Sequence, residues 1–74
     1  MEAQVPHAVF VRRPGSYFDP LPKPLATDIP TEDAARQIAR RLAHSYSCHG
    51  RHDATGVFWF RDIEGLAEIW AQAL

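Results

Sequence analysis

The sequence predicts a small α+β domain with the element order ββαβα, in which a three-stranded antiparallel sheet carries two helices on one face. Three observations lead to this fold class. Short apolar segments with β-type alternation lie on both sides of a stretch with helical periodicity. A proline-glycine turn follows the first of these segments, and the last segment is rich in helix-forming residues. Because the chain has 74 residues, we expect one domain over positions 1–74.

The first strand is predicted over residues 7–13. In this segment Val9 and Val11 face one side of the chain, whereas Phe10 and Arg12 face the other. Such alternation is typical of a strand with two different faces.

A hairpin is predicted to follow the first strand. Pro14 and Gly15 have the backbone preferences of the two central positions of a type II turn, so Tyr17 and Phe18 are expected to begin a second strand. Residues 19–30 contain four prolines, and within them residues 20–24 are predicted to form an extended polyproline II connector that crosses the domain surface.

Residues 31–46 predict the first helix. Thr31 has the side chain of an N-cap, and two acidic residues follow it in the first turn, where the helix dipole favours them. Apolar residues then recur at helical spacing, and Ile38 and Leu42 are the predicted core anchors. The polar residues 47–55 are expected to form a loop.

Residues 56–61 predict the third strand, because they combine β-branched and aromatic side chains. Asp62 then has the side chain of an N-cap for a second helix. The alternative is that residues 62–65 form a turn and Leu66 to Trp70 a fourth strand; helix propensity favours the helix. A right-handed crossover would place the third strand beside the first, giving the sheet order 2-1-3.

Composition excludes several functional classes. A formal net charge of −1 disfavours a DNA-wrapping protein and a polybasic membrane binder. A single cysteine forms no internal disulfide, and neither a membrane-spanning apolar run nor a signal peptide is apparent, so a cytoplasmic location is expected. Nucleotide-binding glycine motifs are missing from the sequence, and we expect a non-enzymatic protein without a cofactor.

One short stretch concentrates reactive side chains: His44, Cys48, His49 and His52. Their side chains are of the types that bind zinc, and a thiol beside an imidazole also suggests a nucleophile. Structural zinc sites usually join two separated pairs of ligands, however, and here all candidates share one segment. A polar loop is therefore the favoured interpretation, and a small metal-binding domain is kept as an alternative.

The aromatic third strand suggests a binding surface. Successive side chains of a strand point to opposite faces, so aromatic rings emerge on both sides of the sheet, and helices on one face leave the other uncovered. We therefore expect a protein–protein interaction module, either a homodimer or a small adaptor or antagonist of a larger bacterial complex. Single-stranded nucleic acid stacked on the same face is the alternative. The predicted partner-binding residues are Phe58, Trp59, Phe60, Arg61, Arg12 and Arg13.

Overall fold

The computed structural model describes residues 5–15 and 21–74, and these residues form a five-stranded antiparallel sheet with one α-helix. The sheet order is β2-β1-β5-β4-β3, so the first and last strands lie together in its centre. The elements are β1 (His7–Arg12), β2 (Lys23–Ile29), α1 (Glu32–His44), β3 (Cys48–Arg51), β4 (Phe58–Asp62) and β5 (Gly65–Ala73).

The predicted fold class is therefore wrong in its architecture. The sequence predicted three strands in the order 2-1-3 with two helices, whereas the described residues have five strands and one helix. Three segments account for the difference: the last element, the proline-containing segment and the polar loop. The predicted extended segment at Tyr17 and Phe18 lies outside the described residues.

The last element is a strand and not the predicted second helix. Residues 62–65 form a turn in which the backbone N–H of Glu64 donates to Asp62 Oδ1 at 3.0 Å, and Gly65 adopts a positive φ of 110°. Asp62 thus stabilises a turn instead of capping a helix. Ala67 and Ile69 are fully buried at alternate positions, since β5 pairs with β1 on one side and β4 on the other. These neighbours outweigh local helix propensity.

The proline-containing segment supplies an edge strand. β2 pairs antiparallel with β1, and Ile29 at its end is buried. Pro24 lacks an N–H, which an edge strand tolerates because only one of its sides is paired. The register is irregular on both sides of Val9, and Asp28 has a positive φ of 58°. The polyproline II interpretation is thus wrong for Lys23 and Pro24, which belong to β2.

The predicted loop contains the opposite edge strand. β3 is four residues long and pairs antiparallel with β4, from Cys48 opposite Arg61 to Arg51 opposite Phe58. Its polar composition hid the strand, because an edge strand needs few apolar side chains.

The predicted first helix is confirmed, with Thr31 as its N-cap. Thr31 Oγ1 accepts a hydrogen bond from the backbone N–H of Ala34 at 3.1 Å. Ala35, Ala39 and Ala43 are the fully buried residues of the helix, so its backbone lies close to the sheet. Ile38, a predicted anchor, is partly buried and packs against this core. Leu42, a predicted anchor, is 38% exposed and is not part of the core.

Aromatic side chains fill the space between the helix and the sheet. The ring of Phe60 stacks on Tyr46, with centroids 4.1 Å apart and an interplanar angle of 9°. Val9 and Ile69 are the largest side chains with almost no exposure. Within the described part of the chain, no helix has the length and apolar character needed to cross a membrane.

An ion pair joins the ends of two strands that flank β5. The guanidinium of Arg13 donates to both oxygens of Asp62, at 3.0 and 2.8 Å, and lies 5.9 Å from the centroid of the Phe60 ring. This hydrogen bond lowers the pKa of Asp62 below its usual value and raises the pKa of Arg13. Forked arginine–carboxylate contacts of this kind fix geometry as well as charge.

We expect this ion pair to make stability depend on acidity. Because the pKa of Asp62 is lowered in the folded state, its contribution is present above about pH 4 and is lost as the pH falls through that lowered value. Urea unfolding near pH 6 and near pH 3 measures the loss. Asp62→Asn and Arg13→Met should each lose less stability on acidification than the unchanged protein. An unchanged pH dependence in both variants would contradict this assignment.

Candidate functional site

The two faces of the sheet differ in what covers them. Helix α1 packs on one face, and no helix in residues 5–15 and 21–74 lies on the other, which we call the open face. Successive residues of a strand point to opposite faces and directly paired residues share a face, so the strand pairing shows which side chains lie on the open face. Its principal side chains are Phe10, Arg12, Cys48, Trp59, Arg61, Leu66, Glu68 and Trp70.

Two aromatic residues pair at the centre of the open face. Phe10 of β1 is directly opposite Trp70 of β5, and their rings stack with centroids 6.2 Å apart and an interplanar angle of 19°. The indole N–H of Trp70 donates to Gln72 Oε1 at 3.0 Å, which fixes the orientation of the ring. Both aromatic residues are only half-buried. They therefore present rigid apolar area to solvent.

A third aromatic residue lies over a glycine. Trp59 of β4 is opposite Gly50 of β3, and a Cβ at position 50 would lie 2.6 Å from the Trp59 indole. The missing side chain thus allows the indole to lie flat across the edge strand. Trp59 is also half-buried.

The charges on the open face are of both signs. Glu68 forms an ion pair with Arg12, and His52 Nε2 lies 3.8 Å from the other Glu68 oxygen. Arg61 has no ion pair among the described residues. The face thus combines apolar rings with charges of both signs, two arginines and one glutamate.

A shallow hollow lies beside Trp70. It has a volume of about 210 Å³ and is lined by Arg12, Val57, Glu68 and Trp70. A hollow of this size is suited to one inserted side chain, whereas cavities that hold small-molecule ligands usually exceed about 300 Å³.

The predicted partner-binding residues divide between the two faces. Trp59, Arg61 and Arg12 lie on the open face. Phe58 and Phe60 are only 7% and 5% exposed, and both belong to the core under the helix.

Arg13, the sixth predicted residue, is held beside that core. Its guanidinium is committed to Asp62 and lies near the Phe60 ring. Of the two aromatic sets that the sequence offered, Trp59 is therefore the one on the open face.

Sequence reasoning missed Trp70 and Glu68 as surface residues of the sheet. Trp70 lies in the segment predicted as a second helix, and that segment is β5. The alternation of Ala67, Ile69 and Ala71 with larger or polar residues was the signal that could have placed both side chains on the open face.

The cysteine–histidine stretch does not form one site. Cys48 pairs with Arg61 and is exposed on the open face, whereas His49 points to the helix side. The His49 ring contacts His44, with centroids 4.4 Å apart, and its Nδ1 lies 2.7 Å from the Tyr46 carbonyl oxygen. In the described residues, no three His, Cys, Asp or Glu side chains form a group that could hold a metal. The thiol and its neighbouring imidazole also lie on opposite faces.

Comparison with models of protein families, with curated proteins and with solved structures finds no significant match to this chain.

Proposed function

We propose that this chain is a non-enzymatic protein–protein interaction module that binds a second copy of itself through the open face. The observation that carries the proposal is the group of three half-buried aromatic residues on a sheet face that α1 does not cover: Phe10, Trp59 and Trp70. Aromatic residues and arginine are enriched at the energetically dominant positions of protein interfaces.

The size of the open face limits the interface that it can form. Strands lie about 4.8 Å apart and rise about 3.3 Å per residue, so the five strands at their observed lengths present about 500 Å² on each face. Specific complexes bury at least about 600 Å² on each partner. A specific interface therefore uses the whole open face together with residues at its margin.

The charge pattern supports a protein partner and, in particular, a second copy. Arg61 and Glu68 lie on the same face, so two copies related by a two-fold axis need not bring together charges of one sign only. The charge of Arg12 is offset by Glu68. This pairing leaves less positive charge for phosphates, which makes nucleic acid a weaker candidate for the open face.

Truncating the open-face aromatics is expected to weaken self-association. Trp70→Ala and Trp59→Ala should each raise the dimer dissociation constant by about thirtyfold, which corresponds to about 2 kcal/mol. Arg61→Ala should have a smaller effect that decreases with added salt. Sedimentation equilibrium over a range of concentrations measures all three constants.

Leu42→Ala is the matched control, because Leu42 is apolar and exposed but lies on the helix. It should leave the dissociation constant unchanged, and circular dichroism should report folded protein for every variant. A chain that stays monomeric at all concentrations contradicts self-association. A monomer that binds a single-stranded oligonucleotide through Trp70 would assign the open face to nucleic acid instead.

A further inference from the structure

From a groove on the helix side of the sheet, we infer a second site, which binds a small phosphorylated ligand with an apolar part. Its arginines lie on the helix side of the sheet, so the inference does not rest on self-association. The groove lies between α1 and β3, and we call it the arginine groove. It has a volume of about 460 Å³, and its lining includes Arg36, Arg40, Arg51, His44, Asp33 and Phe58.

The chain concentrates positive charge around this groove. Residues 34–52 contain four arginines and three histidines, and they contain neither aspartate nor glutamate, although the whole chain has a net charge of −1. Three of those arginines line the same cavity. Guanidinium groups form forked hydrogen bonds to phosphate oxygens, so this is the anion chemistry that the groove fits best.

Two of the three arginines have no ion-pair partner among the described residues. Arg36 is held by Glu32 one turn earlier on the helix, whereas Arg40 and Arg51 make no such pair in the described part of the chain. Asp33 is the one carboxylate in the lining. Arg40 and Arg51 are therefore the groups available to an incoming anion, and they come from different elements on the two sides of the groove.

An adjoining cavity explains why the ligand should have an apolar part. It has a volume of about 310 Å³ and shares Arg36, Arg51 and Phe58 with the arginine groove. Its further lining includes Val57, Ala71 and Trp70, which add apolar surface, and through Trp70 this cavity borders the open face. Either cavity alone is at the small end of the range for ligand sites, and the two together suit one ligand with an anionic and an apolar end.

Isothermal titration of the full chain with phenyl phosphate and with inorganic phosphate tests this inference. Phenyl phosphate should bind saturably and more tightly than inorganic phosphate. Arg40→Gln and Arg51→Gln should each weaken phenyl phosphate binding by about tenfold, as expected when a hydrogen bond to a charged group is lost. Arg51→Lys keeps the positive charge but loses the two parallel hydrogen bonds that a guanidinium donates, so it should also weaken binding.

Arg41→Gln is the matched control, because it removes the same charge from the same helix and Arg41 does not line the arginine groove. It should leave the affinity unchanged. Equal weakening by Arg41→Gln would mean that binding reflects net charge alone and would overturn the site. Absence of saturable binding, or equal affinity for both phosphates, would overturn it as well. A short oligonucleotide that binds far more tightly than phenyl phosphate through Arg40 and Arg51 would reassign the groove to nucleic acid.

Discussion

Replacing Phe60 with alanine is expected to lower the free energy of unfolding by about 3–5 kcal/mol. The ring is buried, stacks face to face on Tyr46 and lies beneath the guanidinium of Arg13. Its removal therefore leaves a cavity between the helix and the sheet. It also removes the ring that stacks on Tyr46 and that the Arg13 guanidinium contacts. Because a chain of 74 residues has only about 4–11 kcal/mol of stability in total, this loss is a large fraction of it, and the midpoint of urea unfolding should fall markedly.

Ile63→Ala is the control for this experiment. Ile63 lies in the turn before β5 and is fully exposed, so its truncation removes apolar atoms that contribute no core packing. We expect its midpoint of urea unfolding to stay close to that of the unchanged protein. Similar midpoints for Phe60→Ala and Ile63→Ala would contradict the placement of Phe60 in the core.

Enlarging Ala39 to leucine is the second change with a large expected effect. Ala39 is fully buried between two other buried alanines of α1, where the helix lies close to the sheet. The extra methyl and methylene groups have no space, and overpacking of this kind costs about 1–3 kcal/mol and occasionally more. Thermal unfolding should give a clearly lower midpoint for Ala39→Leu.

Leu42→Ala is the informative comparison on the same helix. Leu42 is 38% exposed, so its truncation should change the midpoint much less than Ala39→Leu does. The usual expectation, that a leucine matters more than an alanine, is thus reversed at these two positions. A larger loss for Leu42→Ala would mean that the helix packs through a different face.

Local signals in the sequence were sufficient to predict three elements of the fold: α1, β1 and β4. Thr31 and the helical periodicity after it predicted α1, and the helix runs over Glu32–His44. The alternation at residues 7–13 predicted β1, and the aromatic run predicted β4. In each of these segments, propensity, pattern and tertiary contacts favour the same conformation.

The elements that sequence reasoning missed depend on partners far away in the chain. β5 has the composition of a helix but becomes a strand because it lies between β1 and β4. β3 and β2 are edge strands with few buried side chains, so neither carries a strong apolar pattern. The same error hid part of the candidate site, since Trp70 joins Phe10 only when β5 is a strand.

The central position of β1 and β5 determines when the chain can fold. His7 pairs with Ala73, and the backbone N–H of Leu74 donates to the Pro6 carbonyl oxygen, so the middle of the sheet joins segments from opposite ends of the sequence. Contacts with such large sequence separation form slowly, because a long loop must close first. During synthesis on a ribosome, β1 and β4 cannot join one sheet before β5, which pairs with both of them, has been made. We therefore expect the complete sheet to assemble only after residues 65–73 have emerged, whereas α1 and the β3–β4 hairpin rest on contacts closer in sequence and can form earlier.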